Sequence, residues 1–85
     1  MKNVLMYTKP TCPYCQRAAE LLDDKGAVVE SINISKFPER RDEMIARAGG
    51  RSTVPQIFTG GTHVGGCDDL YALDEQGKLD ALLAD

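Results

Sequence analysis

A strand, a helix and a second strand follow one another within residues 3–34, and that order leaves a short chain few folds to adopt. Asn3 to Thr8 is a run of apolar and β-favouring residues, closed by Pro10, which has no N–H to give a ladder. Pro13 suits a first helical position, Ala18, Leu21 and Leu22 recur at helical spacing up to Lys25, and Gly26 suits the position just past the end. Val28 to Ile34 then returns to β-favouring residues, with Ile32 and Ile34 alternating. Two strands joined through a helix run parallel in one sheet with a right-handed connection.

The rest of the chain changes character. A second helix is expected from Pro38 to Ala48, with Met44, Ile45 and Ala48 on one face and Gly49-Gly50 stopping it. Gln56 to Thr59 and Thr62 to Val64 flank Gly60-Gly61, a pair suited to a tight antiparallel hairpin. From Asp68 onward Leu70, Leu73, Leu79, Leu82 and Leu83 suggest a terminal helix packed on the sheet, with a break near Gly77. At 85 residues, 42% of them apolar and 27% charged, the chain is expected to be one domain, residues 1–85, around one core.

Charge and composition narrow the function. The net charge is −3, and only Arg40-Arg41 are adjacent basic residues, so nucleic acid is not an expected partner. The acidity from Asp68 to Asp85 is interrupted by leucines and reads as a solvated face. The apolar stretch Val4 to Tyr7 is too short for a signal-peptide core or a membrane span, so no membrane association is expected. Three cysteines cannot all pair within one chain, which suits a reducing compartment, and a cytoplasmic location is expected.

Cys12-Pro13-Tyr14-Cys15 lies between the first strand and the first helix, so Cys12 stands at the helix mouth and Cys15 about one turn inside. Free N–H groups and the positive end of the helix dipole favour a thiolate there, the nucleophilic form of cysteine. Cys12 is therefore the expected attacking sulfur and Cys15 the less exposed one, which attacks once a mixed disulfide has formed. Lys9, just upstream, either adds positive charge near that sulfur or is a surface lysine serving solubility. A zinc site built from Cys12, Cys15, Cys67 and His63 is the alternative use of the pair, but zinc knuckles hold their cysteines in a turn rather than at the opening of a helix.

Tyr7-Thr8-Lys9, Cys12-Pro13-Tyr14-Cys15, Thr53-Val54-Pro55 and Gly65-Gly66-Cys67-Asp68-Asp69 occur in that order. With these motifs the chain resembles a glutaredoxin over essentially its whole length, and is most similar to the short bacterial dithiol glutaredoxins of the third type. The resemblance implies an α/β thioredoxin-like fold, a four-stranded mixed sheet of order βαβαββα flanked by helices. It implies glutathione as reductant and co-substrate, with no tightly bound cofactor and no metal. It also implies a cis peptide bond before Pro55, with the N–H and C=O of Val54 turned toward the cysteines to pair with an extended peptide.

Asp68 and Asp69, opening the last helix, would receive the γ-glutamyl end of the tripeptide through helix N–H groups and a carboxylate, beside Gly66 and Cys67. Lys9 and Gln56 would hold the glycine carboxylate, with Thr53 nearby and Tyr14 beside the sulfur. Each residue also has a plainer use: Asp68 as a helix cap, Pro55 as a strand start, Gly65-Gly66 as a turn, Cys67 as a small buried residue.

The expected function is reduction of protein disulfides and glutathione mixed disulfides by a monomer, with glutathione and disulfide-containing or glutathionylated proteins as partners. Two rivals remain at this stage. One is a [2Fe-2S] cluster bridged between two chains by the first cysteine and glutathione, against which Pro13 counts. The other is a redoxin reduced by a flavoprotein, against which the Gly65-to-Asp69 segment counts.

Overall fold

The computed structural model describes residues 3–84. Eight elements follow in order: β1 (Val4–Thr8), α1 (Pro13–Asp24), β2 (Val29–Asn33), α2 (Arg40–Arg47), β3 (Gln56–Thr59), β4 (Thr62–Gly65), α3 (Cys67–Glu75) and α4 (Leu79–Leu83). The sheet has the order β2-β1-β3-β4. β1 pairs parallel with β2 and antiparallel with β3, which pairs antiparallel with β4.

Alternation along β1 divides the core in two, because successive side chains point to opposite faces of a sheet. Val4 and Met6 pack with Ala18, Leu21 and Leu22 of α1, with Cys67 and Leu70 of α3, and with Leu79 and Leu83 of α4. Leu5 and Tyr7 face the other way, toward Ile32, Phe58 and the α2 side with Met44 and Ala48. β3 is covered on both faces, and all four of its residues are buried, the polar Gln56 and Thr59 included. At the expected hairpin, Gly60 and Gly61 both take positive φ, 53° and 86°, as a two-residue turn requires.

The structure corrects two boundaries. α2 starts at Arg40 rather than Pro38, because Arg40 and Arg41 donate to the carbonyls of Phe37 and Pro38, closing short turns ahead of the helix. Val28, expected inside the second strand, lies outside it and is 83% exposed. The expected break near Gly77 is present: at φ 71° this glycine ends α3's path and redirects the chain into α4. The order is thus βαβαββαα. Among the described residues, no helix is long and apolar enough to cross a membrane.

Candidate active site

Cys12 is the N-cap of α1, and Pro13 occupies the first turn, where its missing N–H costs nothing. The backbone N–H of Cys15 donates to Cys12 Sγ at 3.2 Å, so the sulfur takes the place that a serine or aspartate oxygen holds in an ordinary cap. On its other side Cys12 Sγ donates to the carbonyl of Val54 at 3.8 Å. The expected cis bond is present between Val54 and Pro55.

The two cysteines differ in the expected direction. Cys12 is half-buried, whereas Cys15 is only 3% exposed. Burial, and then the neighbouring Cys12 sulfur, push the Cys15 thiol up, so it stays protonated at neutral pH. Burial, and then Asp68, push the Cys67 thiol up as well. All three cysteines are free thiols.

A cleft of about 330 Å³ opens beside this pair, with Tyr14 and the run Thr53, Val54 and Pro55 on its walls. Gly66, Cys67 and Asp68, where α3 begins, also line it. The strand-helix junction of β1 and α1, the loop before β3 and the start of α3 therefore converge on one place. Here the structure gathers most of the residues singled out from the sequence.

Two of those residues go elsewhere. Lys9 is exposed and lines a different cavity of about 240 Å³, which it shares with Cys15, Gln16 and Asn33. Gln56 is fully buried, its amide donating to Thr53 and its oxygen facing His63, so its side chain does not reach the cleft. His63, the fourth ligand of the zinc alternative, is paired with Gln56. Among the described residues, no group of three His, Cys, Asp or Glu side chains is gathered as a metal site requires.

Asp68 is not the helix cap. The cap position is Gly66, and it is the carboxylate of Asp69 that accepts from the Gly66 N–H, at 2.9 Å. Arg51 lines the cleft and donates to the same carboxylate at 2.9 Å, a residue that the sequence did not single out. Nothing local marks Arg51, whose partner lies 18 positions away.

The Gly66 N–H, and after it the Arg51 guanidinium, hold the Asp69 carboxyl below the usual carboxylate range. Because the folded state binds that proton less readily than the unfolded chain, the stabilisation is complete above the unfolded value of about 3.9 and is lost as pH falls through the lower folded value. Wild type should therefore exceed Asp69→Asn in stability at pH 7 and pH 5, with the difference shrinking toward pH 3, as urea unfolding at the three pH values would read. A difference that holds constant down to pH 3 would contradict this.

Comparison with known proteins agrees with the fold. The glutaredoxin family model matches residues 4–64. Glutaredoxin 3 of Escherichia coli K12 is 57% identical over 98% of this chain and 99% of its own length. A solution structure of glutaredoxin from Brucella melitensis is 59% identical, covers 98% of this chain and 89% of its own, and superposes with a TM-score of 0.84. A crystal structure of a buckwheat glutaredoxin-glutathione complex matches at 31% identity and a TM-score of 0.87, over 94% of this chain and 74% of its own.

A thioredoxin-like sheet with a cysteine pair at the mouth of its first helix defines a thiol-disulfide oxidoreductase. The chain belongs to the glutaredoxin family.

Proposed function

We propose that the chain reduces protein disulfides and glutathione mixed disulfides with Cys12 as nucleophile, Cys15 as resolving thiol and glutathione as electron donor. The observation that carries this reading is that the Cys12 sulfur meets the carbonyl of Val54, which walls the same cleft as Tyr14 and the opening residues of α3. A peptide thiol has two requirements, a backbone edge to pair with and a place for its charged end, and both lie beside the sulfur.

In the proposed reaction the Cys12 thiolate attacks the glutathione sulfur of a mixed disulfide and releases the protein thiolate, which takes up a proton. A second glutathione then attacks the Cys12 adduct, forming oxidised glutathione and returning Cys12. With a protein disulfide, Cys12 first becomes joined to the substrate, and Cys15 displaces it to leave a Cys12–Cys15 disulfide, which two glutathiones reduce. The raised Cys15 thiol suits the waiting role, since it does not compete as a nucleophile before the mixed disulfide forms beside it.

The proposal extends to a single 85-residue working unit acting as a monomer in the cytoplasm, where glutathione keeps thiols reduced. An assay coupling NADPH and glutathione reductase to a glutathionylated peptide tests the electron donor. Turnover should depend on glutathione and saturate with the peptide. Turnover with a flavoprotein thiol reductase in the absence of glutathione, and none with glutathione, would overturn the reading.

A further inference from the structure

We propose that His63 and Gln56 are positioning residues, which hold the backbone of Thr53 and Val54 in place for the glutathione substrate and so set KM rather than kcat. The inference rests on the glutathione reading above.

Thr53 and Val54 wall the cleft but lie outside every strand, so no ladder holds them. Their tether is a side chain. Gln56 is 0% exposed, and its Nε2 donates to the Thr53 carbonyl at 3.0 Å and to Thr53 Oγ1 at 3.3 Å. A buried amide is costly unless both its ends find partners. Because a carbonyl can only accept, the nitrogen of Gln56 must face Thr53, which turns Oε1 toward His63 Nε2, 2.8 Å away. An amide oxygen also only accepts, so His63 carries its proton on Nε2 and donates it.

His63 is itself held from below. Its ring packs on Phe58 with centroids 4.9 Å apart, while the Arg47 guanidinium lies 4.7 Å from the Phe58 centroid and the Tyr7 ring meets Phe58 edge-on. A continuous line therefore runs from β4 through His63 and Gln56 to Thr53, and one residue further to the Val54 carbonyl that meets Cys12 Sγ. No member of this line except Val54 touches the reacting sulfur. Removing the His63 donor frees Gln56 to rotate and loosens the edge that the peptide pairs with, while Cys12 and its cap stay as they are.

His63→Leu and His63→Gln separate the donor from the packing. In the glutathione-coupled assay with a glutathionylated peptide, His63→Leu should raise KM about three- to tenfold, the change that one hydrogen bond supplies, with kcat within about twofold. His63→Gln, which again offers an N–H, should recover most of the wild-type KM. The rate of Cys12 alkylation by iodoacetamide should be the same in all three proteins. An unchanged KM in His63→Leu, or a KM equally raised in His63→Gln, overturns the positioning role while the glutathione reading stands. Failure of the wild type to saturate with the peptide overturns the glutathione reading, and the inference with it.

Discussion

Replacing Cys12 by serine should abolish both deglutathionylation and protein disulfide reduction, whereas replacing Cys15 should slow only the second. Cys12 caps α1 and meets Val54, and no other thiol is similarly placed: Cys15 and Cys67 are 3% and 6% exposed, with both thiols pushed up by burial. In Cys15→Ser the Cys12 sulfur still attacks a glutathione mixed disulfide, and a second glutathione still regenerates it. A protein substrate, by contrast, stays joined to Cys12 until an outside thiol arrives. The neighbouring Cys15 provides an intramolecular attack whose effective concentration far exceeds that of any free thiol, so protein disulfide reduction should fall by roughly a hundredfold or more. Trapped enzyme-substrate disulfides should accumulate on non-reducing gels. Cys67→Ser should leave both rates close to wild type. Retention of either activity by Cys12→Ser, together with loss of both in Cys15→Ser, would reverse the assignment.

The largest expected effect on stability comes from Gly65→Ala. Gly65 takes φ 121°, where a side chain is strained at a cost of about 1–3 kcal/mol. A Cβ there would also run into the Asp69 carboxylate, the group that accepts from the Gly66 N–H and from Arg51. Since that carboxylate must shift, loss of the cap adds about 1 kcal/mol, for a total of about 3 kcal/mol. Gly77, at φ 71° with open space around it, isolates the backbone contribution, and Gly77→Ala should cost only about 1 kcal/mol. Urea unfolding of the two variants reads the difference. Equal losses would mean that the close approach to Asp69 contributes nothing.

Local chemistry explains which parts of the fold were legible from residues alone. Prolines and glycines punctuate the chain wherever the backbone changes path, so the β1-α1 junction, the Gly60-Gly61 turn and the break at Gly77 follow from short windows of sequence. Cys12 at a helix mouth is such a feature, because the cap position follows from Pro13 beside it. Gln56 shows where local reading ends. Next to Pro55 in sequence it is placed readily at the cleft, but β3 is buried on both faces and carries no polar-apolar alternation to say which way a polar side chain turns. Its direction is decided by His63, seven residues on and across a hairpin with an irregular register. Arg51 and Asp69 meet only once the loop before β3 and the start of α3 have been brought together, a contact that no periodicity encodes.

Asp68 and Asp69, adjacent and chemically alike, also divide their work in a way that only the fold reveals. Asp69 turns back to the Gly66 N–H and to Arg51, while Asp68 stays exposed on the cleft wall. One carboxylate thereby holds the start of α3 in place, and the other is left exposed, as the proposed contact with the charged end of glutathione requires.

Peptide mapping by mass spectrometry of Cys15→Ser after incubation with oxidised glutathione tests the central claim most directly. A single glutathione adduct on Cys12, removed by reduced glutathione at a rate matching turnover, is the result expected of a glutathione-dependent Cys12 nucleophile. An adduct on Cys67 with Cys12 unmodified, or a Cys12 adduct that reduced glutathione does not remove, would contradict it.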